Sequence, residues 1–534
     1  MNFKQLESAR KLRGGYYTPA PVAAFLLRWA VRSGPCRVLE PGCGDGAFLR
    51  AAAHLDVDTR FLAFEIEPGE AAAARAAASG VSRVIAGDFL SWATGPGAAE
   101  RFDAAVGNPP YVRYQYLDAG QQAAAERLFA REGVPFTRHT NLWVSFVLAA
   151  VAALRPGGRL AMVVPAELLH VLHARGLREH LLAACAEVVV VDVAPIVFEG
   201  TLQGTVLLLA EKARSNGTGR LSLVRADDLA FLAESPESLL GRSIPIAGAD
   251  LDYKWMAALL EPAERQLLEQ LSSAGLLRDF SAFGRVDVGI VTGANKFFLV
   301  DDATVAMYSL QAYCKPMFGR SEHARGVIYG WADHAENARR GHPTHFLDFS
   351  GGAPPAYIAL GERQGLHARY KCRIRDPWYR VPSVYAARIG MLKRCHHFPK
   401  LLLNEIGAYT TDTAYRIASL EEPAESIVAR FVNSATALSA ELLGRHYGGG
   451  VLELVPSEIE RLLLPAVDPA GDLDLAGLDA DMRSASPPEE VLARRDARVL
   501  GPLGVSGEDQ ERLRAAWDRL RSRRQRVTTP DTSR

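Results

Sequence analysis

At 534 residues the chain is too long for one ordinary domain, and two or three are expected. An apolar content of 48% predicts folded units with sizeable cores, and the balance of 61 basic against 61 acidic residues excludes a protein that coats nucleic acid indiscriminately. The longest apolar run, near Leu142 to Leu154, is too short for a bilayer. Met1 to Gln5 lacks the core of a signal peptide. Six scattered cysteines with no C-x-x-C pair support neither a zinc site nor a disulfide framework. No metal and no membrane are expected, and a reducing cytoplasm is the expected home.

From the N-terminus to about residue 210, strand-like runs alternate with helical stretches. The strands are expected at 37–40, 60–66, 81–86, 102–107, 160–164, 188–193 and 205–209, and helices at 70–78 and 141–154. Such alternation predicts an α/β fold with a doubly wound, mostly parallel sheet. The last two strands follow each other closely and read as an antiparallel hairpin at the sheet edge.

Chemistry gathers at the strand ends. After the first strand, Glu40-Pro41-Gly42-Cys43-Gly44-Asp45-Gly46 combines a carboxylate with a glycine turn. Glycines let a ligand lie close to the backbone, but the spacing is G-x-G-x-G rather than the dinucleotide G-x-G-x-x-G. Glu40 would repel a phosphate and suits an ammonium group. Glu65 closes the second strand, where ribose hydroxyls are gripped in such folds. Asp88-Phe89 follows the third and offers an acceptor beside an aromatic ring. Together these describe S-adenosylmethionine better than a nicotinamide dinucleotide. After the fourth strand comes Asn108-Pro109-Pro110-Tyr111. The Asn carbonyl and the fixed Pro109 carbonyl can accept both N–H groups of an exocyclic amine. Tyr111 offers a face on which a base stacks. Pro35-Cys36 and Cys43 are read as packing, not as nucleophiles.

Past residue 215 the rhythm fades. The stretch 220–280 is mixed, and 284–465 is read as a second, irregular α/β or β-rich unit. Residues 311–400 hold 15 Lys/Arg against 6 Asp/Glu, a net of +9. Within them Lys371, Arg373, Arg375 and Arg380 interleave with aromatics, and Lys393 and Arg394 follow. Such a block is the expected footprint of a nucleic acid. Residues 401–510 carry 8 against 19, a net of −11. Asp468 to Pro488 reads as linker, and Gln510 to Arg526 as a charged helix.

With these segments joined, the chain resembles the gamma-class, TaqI-like N6-adenine DNA methyltransferases. The motifs are specific over about 13–210 and looser over 284–465, where Val288 to Lys296 resembles the start of the family's target-recognition domain. The resemblance implies a Rossmann-like catalytic domain (1–225), a connecting segment (226–283), a mixed α/β target-recognition domain (284–467), and a linker with a helical tail (468–534). Thr18 would line the methionine end of S-adenosylmethionine, and Glu40 with Gly42, Gly44 and Gly46 would hold its amino acid part. Glu65 would take the ribose, and Asp88 and Phe89 the adenine. Asn108, Pro109, Pro110 and Tyr111 would seat a flipped-out adenine, with Phe198 closing its other side. The implied partners are double-stranded DNA and a separately encoded restriction endonuclease, and the enzyme would associate with the nucleoid while acting. RNA adenine N6, RNA guanine N2 and protein glutamine are the alternative amines.

Overall fold

Alternate residues of each central strand point to opposite faces of the sheet and both sets are apolar, so helices must cover both faces. In the computed structural model, residues 17–32, 34–78, 82–193, 204–215, 219–246, 254–447, 449–466, 473–484 and 486–525 are described. They divide into two compact units that meet in sequence at 259/260. In chain order the first unit contains α1 (Ala20–Ala30), β1 (Cys36–Glu40), α2 (Ala47–Ala52), β2 (Thr59–Glu65), α3 (Pro68–Ala77), β3 (Arg83–Ala86) and α4 (Phe89–Ala93). It continues with β4 (Phe102–Gly107), α5 (Ala119–Glu132), α6 (Leu142–Ala153), β5 (Leu154–Pro165), β6 (Cys185–Val193), β7 (Thr205–Lys212), β8 (Arg220–Ala226) and β9 (Ile244–Ile246).

The nine strands form one sheet in the order β3-β2-β1-β4-β5-β7-β6-β8-β9. From β3 to β5 all neighbours are parallel. Strand order reverses at β1, which pairs with β2 on one side (Val38 opposite Phe61) and β4 on the other (Val38 opposite Ala104). A crevice opens at such a switch point, beyond the carboxyl ends of the strands. Val38, Phe61, Ala104 and Val106 face a core shared with α1 and α2. On the other face Phe64, Phe89, Trp92 and Phe146 form a ring cluster with centroids 4.6–6.1 Å apart.

Two sequence expectations need correction. The hairpin of β6 and β7 is antiparallel but does not lie at the edge. β8 adds to β6 in parallel and β9 pairs with β8. Leu221, Leu223 and Val224 of β8 are buried, which a strand can achieve only inside a sheet or against a helix layer. The segment Asp468 to Pro488 is not all linker, because Leu475–Arg483 is helical, with the Asp474 carboxylate accepting from Gly477 N–H.

In the second unit five strands pair in the order Gly284–Val288, Ala414–Ser419, Ile389–Leu392, Leu401–Asn404 and Ile328–Tyr329. The last pair alone is parallel among them. The C-terminal helix, Gly507–Gln525, is no tail. It buries Leu513, Trp517 and Leu520, and its Arg524 forms a fully buried ion pair with Glu441 at 2.6 Å. No described helix is long and apolar enough to cross a membrane.

Candidate active site

The glycine loop after β1 folds back on β2. Cys43 N–H donates to Phe64 O at 2.8 Å, and Gly44 N–H donates to Glu65 Oε2 at 3.0 Å. Glu65 Oε1 accepts from Glu67 N–H at 2.9 Å. Glu65 therefore braces two loops, and each of its oxygens keeps a second lone pair. Gly46 adopts φ +89°, which favours glycine, and a Cβ there would sit 3.0 Å from Ala74 Cα. It is the hinge behind the loop, packed on α3.

These strand ends enclose one cavity of about 350 Å³. Its wall includes Thr18, Glu40, Gly42, Gly44, Glu65, Asp88, Phe89, Asn108 and Pro110. The cavity thus unites most of the positions chosen from sequence. Gly46, Pro109 and Tyr111 are not among its lining residues. Pro109 is buried, and the Tyr111 hydroxyl donates to Asn108 Oδ1 at 3.1 Å. Phe198 lies outside the described residues.

Sequence reasoning missed Tyr17, Ile66, Gln121, Leu142 and Phe146, which line the same cavity. Tyr17 hydroxyl donates to Glu70 Oε1 at 2.8 Å. Ile66 is 55% exposed, an apolar side chain held open toward the pocket by its place after Glu65. The one sequence signal for it was an apolar residue between two glutamates at a strand end.

Electrostatics decide what the cavity takes. Glu40, Asp45, Glu65, Glu67, Glu70 and Asp88 line it, and no Lys or Arg lines it among the described residues. Glu40 is 1% exposed, and its Oε2 has no hydrogen-bond partner. Burial, reinforced by the charges of Glu65 and Asp45, pushes its carboxyl well above the usual range. A buried carboxylate in this state calls for a cation, which the ammonium and sulfonium of S-adenosylmethionine supply and a pyrophosphate does not. Asp88 does two things. Its Oδ2 caps α4 by accepting from Ser91 N–H at 2.7 Å, and its Oδ1 faces Gln121 Nε2 at 3.4 Å across the cavity wall. Phe89 belongs to the ring cluster and carries it to the wall of the pocket. Cys36 and Cys43 are buried thiols, and burial pushes Cys36 up to about 12 and Cys43 up as well. Neither is poised as a thiolate.

The second unit carries the basic block. Lys371 and Arg373 stand exposed with their cations 5.5 and 5.6 Å from the Tyr370 ring centroid. Arg380 is also exposed. Arg375 is committed inward, donating to Thr292 O at 2.7 Å and Val291 O at 2.6 Å. Lys393 and Arg394 both pair with the buried Glu453, at 3.2 and 2.6 Å.

Comparison with known proteins adds a second line of argument. Residues 62–198 match the family model of the Eco57I restriction-modification methylase. Residues 252–500 match that of the Type II methyltransferase M.Eco57I, C-terminal domain. The Type II methyltransferase M.XamI of Xanthomonas campestris pv. amaranthicola is 25% identical over 473 residues, 85% of each chain. M.TthHB8I of Thermus thermophilus is 35% identical over 164 residues, covering 30% of this chain and 36% of that one. Among solved structures, the Type IIL restriction-modification enzyme MmeI in complex with DNA shares the fold, with a TM-score of 0.54 at 11% identity over 93% of this chain and 71% of that one. The matches in both units mark the chain as an S-adenosylmethionine-dependent DNA methyltransferase of a restriction-modification system.

Proposed function

We propose that this chain methylates N6 of adenine at a specific sequence in double-stranded DNA, as the modification enzyme paired with a separately encoded restriction endonuclease. The observation that carries the reading is that Asn108 and Glu40 share one cavity. A side-chain amide oxygen stands at the end of β4, and a buried carboxylate that needs a cation stands at the end of β1.

S-adenosylmethionine supplies a methyl group on a sulfonium. The protein's task is to align the acceptor nitrogen with that methyl and to stabilise the charge that arrives on the nitrogen. Asn108 Oδ1 and Pro109 O are the two acceptors for the amine. Oδ1 accepts from the Tyr111 hydroxyl, and an amide oxygen can accept two hydrogen bonds, so one N–H of the substrate is its proposed donor. Drawing both N–H groups into hydrogen bonds frees the nitrogen lone pair from the ring, so no strong base is needed at this position. Thr18, Glu40, Gly42 and Gly44 hold the amino acid end of the cofactor, Glu65 the ribose, and Asp88 with Phe89 the adenine. Pro110 and Tyr111 flank the substrate base, and Phe198 is assigned to its far side.

A base within a duplex must be extruded to reach such a cavity, at a cost of a few kcal/mol. Stacking on Tyr111 returns about 1–3 kcal/mol, and contacts to phosphate supply the rest. Lys371, Arg373 and Arg380 are the cations that remain open to phosphate. Arg375, Lys393 and Arg394 serve the backbone and Glu453 first.

Expression in a host without DNA methylation, followed by base-resolved sequencing, tests the reading. N6-methyladenine at one fixed sequence, abolished in Asn108→Ala with cofactor binding retained, is expected. N4-methylcytosine, or methylated RNA or protein with unmodified DNA, would replace adenine as the substrate.

A further inference from the structure

Four histidines fall between residues 323 and 345 of the second unit. Two of them are already satisfied. His345 Nε2 meets Asp302 Oδ1 at 2.6 Å, and His334 Nδ1 faces the Tyr329 hydroxyl at 3.5 Å. His323 is satisfied at one ring nitrogen only. His323 is 3% exposed, and its Nε2 is enclosed with no hydrogen-bond partner. Its ring lies 5.2 Å from that of half-buried His342, centroid to centroid. The Glu322 carboxylate completes a set of three donor atoms that lie within 4.8 Å of one another.

We propose that Glu322, His323 and His342 form a binding site for one divalent transition-metal ion, with zinc as the best match. The donor chemistry selects the ion. Two imidazoles and one carboxylate suit zinc and its neighbours, whereas magnesium and calcium take oxygen ligands. Bonds of about 2.0–2.2 Å in a tetrahedron bring ligand atoms to roughly 3.4 Å from one another, so closing on the ion needs movements of about 1–1.5 Å. Glu322 can make such a movement. It is half exposed, and its pairing with Arg320 at 3.3 Å is a surface contact of little worth.

The histidines are held by one residue. Buried Asn337 donates from Nδ2 to His323 O at 2.8 Å, and its own carbonyl accepts from His342 N–H at 3.1 Å. These bonds hold the two stretches of backbone that carry the rings before an ion arrives. Without metal, His323 Nδ1 accepts from Gly319 N–H at 3.3 Å, so the neutral ring carries its proton on Nε2, where nothing accepts it. Ligation through Nε2 moves that proton to Nδ1 and gives up the long Gly319 contact. A metal bond at Nε2 is gained for one weak hydrogen bond, and the ring proton, now on Nδ1, requires the Gly319 N–H to turn aside. The bound ion would tie the turn at 321–323 to the segment after the helix Trp331–Arg339, closing a loop of about 20 residues. No pattern in the sequence announces such a site, because the two histidines are far apart along the chain and lack the short spacings of zinc motifs.

The test uses the full-length chain without a histidine tag, stripped of metal and titrated with zinc against a chromophoric chelator. One ion per chain with a Kd of about 10 µM or tighter is expected. Cobalt in place of zinc should give the visible bands of a low-coordinate ion. His342→Ala and Glu322→Gln should each weaken zinc binding by ~10-fold or more while circular dichroism and the methylation rate stay unchanged. His342 and Glu322 are not core residues, so folding failure does not confound them. Absence of binding below ~100 µM, or unchanged affinity in both variants, overturns the site. Neither outcome depends on whether adenine is the methylated base.

Discussion

Glu40 concentrates the conflict between stability and binding in one side chain. It is fully enclosed, one of its oxygens is unpartnered, and its carboxyl is raised chiefly by burial and then by Glu65 and Asp45. A carboxyl raised on folding binds its proton more tightly in the native state than in the unfolded one. Its contribution to stability is therefore intact below the ordinary carboxylate range and falls as pH rises toward the raised value. A bound cation reverses that penalty. Glu40→Gln should leave the empty protein as stable or more so at neutral pH, yet weaken S-adenosylmethionine by ~10–100-fold, the worth of one charge-assisted hydrogen bond. The wild-type affinity should rise with pH through the Glu40 ionisation, and the variant should lose that rise. Calorimetric titration at several pH values, with thermal melts of the empty proteins, measures both. An equal loss of stability and affinity would mean that Glu40 is structural. At this scale the acidic strand ends were legible because each stands beside a glycine or an aromatic at the end of an apolar run. Tyr17, Gln121 and Phe146 were not, since they come from a leader segment and two helices that only the fold brings to the cavity.

The element that sets the pocket is the turn between β1 and α2, and its glycines are not equivalent. Gly46 holds φ +89° with its open side against α3, where a Cβ would meet Ala74 at 3.0 Å and Ala77 at 3.1 Å. Gly42 has an ordinary φ, and a Cβ there meets nothing nearer than Phe146 at 3.7 Å. Gly46→Ala should cost about 1–3 kcal/mol through backbone strain and contact with α3, seen as a lower Tm. Gly42→Ala should fold as well as the wild type, and any effect should show as cofactor affinity alone. Comparable melting losses in the two variants would remove the distinction. Strand and helix positions in β1 to β5 were readable because parallel strands buried on both faces appear as short, uninterrupted apolar runs. The position of the β6–β7 hairpin was not, because sequence proximity identifies a hairpin but not which strand will later flank it. The helix Leu475–Arg483 was hidden for a different reason. Its surroundings are rich in Asp, Pro and Ser, and only Leu478 is buried in it, so it lacks an apolar period of its own.

Across the whole molecule a net charge of zero conceals a block of +9 followed by one of −11. The structure sorts the basic block by what each cation already touches. Lys371 and Arg373 sit on an exposed aromatic ring, whereas Lys393 and Arg394 share the buried Glu453. Counterion release depends on the cations that reach phosphate, with a slope of about −0.9 in log K per neutralised charge. Replacing Lys371 and Arg373 together by alanine should therefore lower the salt slope of DNA binding by about 2. Replacing Lys393 and Arg394 together should change the slope little and lower Tm instead, because Glu453 is left as an uncompensated buried charge, which is costly. Arg375→Ala should behave like the second pair, since its guanidinium holds the Val291 and Thr292 carbonyls. Fluorescence anisotropy with a labelled duplex over a range of salt, set beside melting curves of the same variants, separates the two behaviours. Equal changes in slope for both pairs would show that Glu453 releases its cations to DNA. The contacts made in the free protein would then not decide which charges meet the phosphates.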